Sequence, residues 1–149
     1  MTEKPGMVDR VAIEKIAIAC RRGLHGLEGV GGSMFAGFPR GACGPASEVL
    51  GRLLKEQLRY DGVYVCGSEH PKLPDDYSHA WFEVGDLLID ITYDQFHGTG
   101  LSGSIFTRGT GWHARFACLE KHDGFCMPSD WPSYPHDGYR AALNALDSA

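Results

Sequence analysis

The 149-residue chain has no apolar run long enough to span a bilayer, and its first ten residues, charged at Glu3, Lys4, Asp9 and Arg10, hold no apolar core of a signal peptide. Basic patches are missing as well. With 14 Lys and Arg against 19 Asp and Glu, the net charge is -5, which argues against nucleic acid or an anionic membrane as a partner. No Cys-x-x-Cys pair occurs, and five cysteines, an odd number, do not make the disulfide framework of a small secreted domain. A reducing, cytoplasmic setting is the simpler expectation, and it leaves open export through a machine that needs no cleavable signal. Internal repeats and low-complexity tracts are absent too.

What is present is an ordinary globular composition, 43% hydrophobic and 22% charged, in a length that fits one domain over 1–149 and can bury a core without staples. Ile13, Ile16, Ala17, Cys20 and Leu24 recur at helical spacing and predict a helix from Val8 to Arg22. Glycines at 23, 26, 29, 31 and 32 then read as a flexible connection. A second helix is predicted over Cys43 to Leu58, with Ala46, Val49, Leu50, Leu53, Leu54 and Leu58 as its apolar stripe. Val63 to Cys66 suits a strand, and Ser78 to Val84, Gly85-Asp86 and Leu87 to Tyr93 read as a tight antiparallel hairpin. Gly98 to Gly111 looks like a mobile loop, Ile105 to Thr107 and Trp112 to Leu119 are candidate strands, Trp131 to Pro135 reads as extended, and Tyr139 to Leu146 closes the chain as a helix.

The chemistry lies in three segments: Gly41-Ala42-Cys43-Gly44-Pro45-Ala46-Ser47, Ser78-His79-Ala80-Trp81 and Ile89-Asp90-Ile91-Thr92. They supply a thiol, an imidazole and a carboxylate in that order. A thiol is a weak nucleophile until a base or a local field ionises it, and the base needs a partner that fixes its tautomer. Cys43 sits where the second helix begins, with Pro45 in the first turn, so unpaired N–H groups and the helix dipole favour a thiolate or a developing oxyanion there. Ser47, four residues on, shares its face.

In the hairpin, a Gly85-Asp86 turn sets Val84 opposite Leu87, Phe82 opposite Ile89, Trp81 opposite Asp90 and His79 opposite Thr92. His79, Trp81, Asp90 and Thr92 then share one face, and His79 and Asp90 are diagonal neighbours with about 7 Å between their backbones, within side-chain reach. The same register puts Asp94 opposite Tyr77 and also diagonal to His79, so it stands as a rival orienter. A one-residue slip would spoil the arrangement.

Singly, each residue has an ordinary reading: a buried inert thiol, a structural histidine, a paired carboxylate. Together, Gly41-Ala42-Cys43-Gly44 with Ser47 and Leu50, His79-Ala80-Trp81-Phe82-Glu83 and Ile89-Asp90-Ile91-Thr92 resemble the transglutaminase-like branch of the papain-like thiol enzymes, and the lasso-peptide leader peptidases are a nearby comparison. The similarity spans roughly Phe38 to Phe96. It implies an α+β fold with a papain-like core, a nucleophile helix packed on an antiparallel sheet, with Cys43 as nucleophile, His79 as base and Asp90, in preference to Asp94, as orienter. The implied function is a cysteine-dependent amide hydrolase, a peptidase or amidase working through a thioester, on a peptide or protein substrate, with room for a partner protein that delivers it. Acyl transfer on the same triad and a noncatalytic interaction module are the alternatives. Two departures stand out: no Asn or Gln precedes Cys43 to donate to an oxyanion, and no acidic calcium loop is present.

No cofactor or metal is expected. His113, Cys118, His122 and Cys126 are ligand-capable, but their spacing is unlike common zinc patterns. Gly98-Thr99-Gly100-Leu101-Ser102-Gly103 lacks the Lys-Ser/Thr pair of a phosphate loop and reads as a lid or linker.

Overall fold

The computed structural model describes residues 8–124 and 135–148. Helix α1, Arg10–His25, starts at Asp9, whose side chain accepts the Ala12 N–H, and it buries Ile13, Ile16, Ala17, Cys20 and Leu24. It runs through Gly23, where the sequence suggests a break, for a packing reason. A Cβ at Gly23 would lie 2.4 Å from the carbonyl oxygen of Ala141, so the glycine lets α1 approach helix α3, His136–Asp147, at backbone distance. Helix α3 begins three residues before the predicted Tyr139. Helix α2, Cys43–Leu58, has the predicted bounds and ends at Arg59 in the left-handed region.

The strands are β1 Val63–Ser68, β2 Ser78–Val84, β3 Leu87–Ile89, β4 Ile105–Thr107 and β5 Cys118–Asp123, in one antiparallel sheet of order β4-β3-β2-β1-β5. Among the described residues the fold is therefore α+β, with three α-helices and a five-stranded sheet. Ala80, Phe82, Val84 and Ile89 turn toward the helices and join their core, while Val65, Trp81, Leu88 and Phe116 form a smaller cluster on the opposite face. That alternation comes directly from the pleat. No described helix is long and apolar enough to cross a membrane.

Two expectations need correction. The hairpin register holds at Val84–Leu87 and Phe82–Ile89, but pairing ends at Ile89 instead of continuing to Tyr93, so Trp81–Asp90 and His79–Thr92 are not ladder pairs. Asp90 diverts the strand: its N–H goes to the Ser104 carbonyl at 2.8 Å, and its carboxylate takes the Thr92 N–H, bending 91–94 into a turn. Trp112–Arg115 is a short 3-10 turn and not a strand, entered through Gly111 at φ 70°, a region open to glycine. Within the glycine-rich stretch 98–111, Ile105–Thr107 is the strand the sequence suggests: it pairs along β3 as β4, and the chain is tied there by the Arg108 N–H on the Asp86 carbonyl. Trp131, Pro132 and Tyr134 of the predicted extended segment lie outside the described residues, as does Cys126.

Candidate active site

Cys43 is the first residue of α2. Its N-cap, Ala42, offers no side-chain oxygen, so the helix's leading N–H groups are left for another acceptor. Ser47 donates its hydroxyl to the Cys43 carbonyl at 2.7 Å and ties the first turn together. Cys43 itself is half-buried. His79 is the second residue of β2, on the face of the sheet that carries Trp81, and the Cys43 thiol at the start of α2 is near enough to act on its ring.

Behind the ring stands Asp90. His79 Nε2 lies 2.6 Å from Asp90 Oδ2, and the two side chains are each only 1% exposed. The other oxygen, Oδ1, accepts the Thr92 N–H at 3.0 Å and the Thr92 hydroxyl at 3.3 Å. A second imidazole, that of His113, places its Nε2 2.8 Å from the same Oδ2, and it too is buried. An ionised carboxylate only accepts, so each ring carries a proton on Nε2. For His79 this leaves Nδ1 as the nitrogen not engaged by Asp90.

The electrostatics follow from burial against charge. Burial pulls the His79 imidazole down, but the charge and hydrogen bond of Asp90, helped by Cys43, override it and push the ring up to about 10. Burial pushes the Asp90 carboxyl up, yet the charge of His79 and the hydrogen bonds from His113 and His79 hold it well below the usual carboxylate range. The pair is thus an imidazolium braced by a carboxylate at neutral pH. Cys43 acts on the ring electrostatically, while buried Nδ1 has no hydrogen bond of good geometry. Thiol and ring are neighbours short of hydrogen-bond alignment.

Asp94 is not part of this group. Arg21 clamps it with two bonds, Nη1 to Oδ1 at 2.9 Å and Nη2 to Oδ2 at 2.6 Å, and also donates to the Ile91 carbonyl. Around His79 the rings of Phe96, Trp112 and Trp81 stand with centroids at 5.2, 5.8 and 5.9 Å, a wall that keeps water from the ion pair. In front, a cleft of about 580 Å³ is lined by Arg40, Gly41, Tyr77, Ser78, Gln95, Phe96 and His97, between the residues that lead into Cys43 and those that lead into His79. Gln95 Oε1 is buried without a partner.

Of the four ligand-capable residues, the three that are described, His113, Cys118 and His122, do not form a cluster. His113 is committed to Asp90, the exposed Cys118 donates to Glu69 at 2.8 Å, and His122 sits four residues along β5, about 13 Å of strand away, with its ring against Tyr64. The one set of three ligand-capable groups close together among the described residues is His79, Asp90 and His113. Their N···O separations of 2.6 and 2.8 Å are hydrogen-bond lengths. Ligands around a tetrahedral zinc with bonds of 2.0–2.1 Å would stand about 3.3 Å apart.

Sequence reasoning missed His113 as a partner of Asp90, and missed Gln95 and Phe96 as cleft or shielding residues. No periodic pattern links them to the hairpin; only the path of the 98–111 return brings His113 and Trp112 in. No family model, curated protein or solved structure matches the chain.

Proposed function

We propose that this chain is a cysteine-dependent amide hydrolase of the transglutaminase-like, papain-like kind. The observation that carries the reading is the buried 2.6 Å bond from His79 Nε2 to Asp90, which occupies that nitrogen and leaves Nδ1 as the ring's unbonded one, beside a Cys43 thiol that acts on the ring. A carboxylate buried this deeply is costly unless it serves a partner, and here the partner is the one group able to ionise the thiol.

In the mechanism, the Cys43 proton passes to His79 to give the thiolate–imidazolium pair, and the thiolate Sγ attacks the amide carbonyl carbon, whose oxygen becomes the oxyanion. The uncapped N–H groups at the start of α2 face that developing charge. The imidazolium then donates its proton to the leaving amine as the C–N bond breaks, giving a thioester. Water, deprotonated by His79, attacks the thioester carbon; the acid leaves and the proton returns to sulfur. Asp90 holds the tautomer throughout. Transfer to an amine uses the same residues, and the open cleft has room for such an acceptor. Product analysis with and without added hydroxylamine separates the two outcomes.

Alkylation tests the site without a known substrate. Cys118 is the internal control: it is exposed, but its hydrogen bond to Glu69 and the charge of that carboxylate raise its pKa, so it is accessible without being activated. Iodoacetamide at pH 7 followed by peptide mapping is expected to label Cys43 at least about tenfold faster than Cys20, Cys66, Cys118 or Cys126, with the preference lost in His79→Ala. Equal labelling of Cys43 and Cys118 would defeat the proposal.

A further inference from the structure

Orienting one imidazole requires that Asp90 accept one hydrogen bond, but this carboxylate accepts four, from His79, His113 and twice from Thr92. The unusual one is His113. Its Nε2 reaches the same oxygen as His79, at 2.8 Å against 2.6 Å, and it arrives from the 3-10 turn, not from the hairpin. The ring is held there. Phe106, Trp81 and Trp112 stand 4.8, 5.0 and 5.1 Å from it, so it cannot swing away without opening the smaller core.

A carboxylate oxygen shared by two N–H donors attracts each proton less than it would attract one alone, and a second donor also fixes the carboxylate plane. This matters for an imidazole that must both accept and release a proton. Held too tightly by Asp90, it would keep the proton needed by the leaving amine.

We infer that His113 is a positioning residue: by donating its Nε2–H to the Asp90 oxygen that also receives His79, it fixes the carboxylate and limits how tightly His79 retains its proton. The inference deepens the proposed function and rests on His79 being the proton carrier there. The other titratable or charged groups acting on these three are Cys43 from α2, Arg21 from α1 and His70 from the loop after β1. None is altered in the variants below.

The test is imidazole ¹⁵N NMR on the full chain, wild type, His113→Leu and His113→Gln, each titrated and each checked for a native melt. Wild type is expected to show a proton on Nε2 of both His79 and His113. Removing the donor in His113→Leu raises the proton affinity of His79 about tenfold, and glutamine, whose amide N–H reaches a similar position, brings it back to within about threefold of wild type. In parallel, iodoacetate, an anion drawn to the imidazolium, alkylates Cys43, and the alkaline limb of that reaction moves up in His113→Leu and back in His113→Gln. A merely structural role lowers the melting temperature and leaves both titrations in place, which overturns the inference. So does a bare His113 Nε2 in wild type, a result that needs no variant to fold, or a stoichiometric zinc that disappears in His113→Leu. Absent selectivity for Cys43 in wild type overturns the proposed function instead, while the His79 titration still shows whether His113 shares its carboxylate.

Discussion

Replacing Asp90 by Asn removes one charge and one acceptor at a point where both are in use. Oδ1 takes the Thr92 N–H and hydroxyl, and Oδ2 takes the two imidazoles, so an amide with a single oxygen leaves two donors facing its NH₂ whichever way it is turned. Breaking a buried ion pair by removing one partner costs about 3–5 kcal/mol. For a domain of this size that corresponds to a fall of roughly 6–20 °C in melting temperature, within reach of a fold stable by about 5–15 kcal/mol. The rings respond by moving their protons. A His79 that turns to the Nδ1–H tautomer presents a proton to Cys43 and ceases to be its base, so turnover should fall on the order of 10³–10⁴-fold, as the same exchange does in a serine triad. The pH dependence has a definite sign. A base raised from its ordinary 6.5 to about 10 adds stability that is complete below 6.5 and is lost as pH rises toward 10. An acid held below its ordinary 3.8 adds stability that is present above 3.8 and is lost as pH falls through the lower folded value. The gap between wild type and Asp90→Asn, measured by calorimetry, is therefore widest between about pH 4 and 6.5 and closes toward pH 10. A variant that melts within about 2 °C of wild type at pH 6 and alkylates Cys43 at the wild-type rate would refute the reasoning.

Glu48 on α2 is 1% exposed, has neither carboxylate oxygen hydrogen-bonded, and is pushed up by burial to about 7. An acid raised in the fold favours it below 4.5 and weighs against it as pH climbs to 7 and beyond, so Glu48→Gln is expected to be more stable than wild type at pH 8 by about 1–3 kcal/mol and to lose that advantage at pH 4.5 in urea melts. Gly23→Ala would set a methyl 2.4 Å from the Ala141 carbonyl oxygen, where backbone must give way. Separation of α1 from α3 should cost about 1–3 kcal/mol, read as a lower urea midpoint with an unchanged slope.

Which parts of this molecule the sequence could disclose follows from how local their causes are. The bounds of α2 are written in its own stripe, with Pro45 inside the first turn and Leu58 at the end. The Gly85-Asp86 turn sets the register of the residues beside it, and Val84–Leu87 and Phe82–Ile89 pair as alternation requires. That rule fails at Asp90, where the side chain competes with the ladder for the Thr92 N–H and wins. His79 and Asp90 still meet, because a diagonal pair needs only that the strands remain adjacent up to Ile89. Nor does the sequence separate Asp90 from Asp94, since both fit the alternation; the separation comes from Arg21, more than seventy residues earlier on another helix.

His113 is the opposite case. Nothing within a few residues of it indicates a carboxylate, and its neighbour Gly111 signals only a turn. It reaches Asp90 because Ser104 accepts the Asp90 N–H and the following segment pairs with β3 as β4, which fixes where the chain emerges before the 3-10 turn. The bond from the backbone of Asp90 and the bond to its side chain therefore belong to one device: the residue that ends the hairpin also anchors the return that brings its second imidazole. Disrupting that return should then loosen the His79–Asp90 pair even when Cys43, His79 and Asp90 are all left intact, which places the sensitive part of this site in the glycine-rich segment as much as in the hairpin.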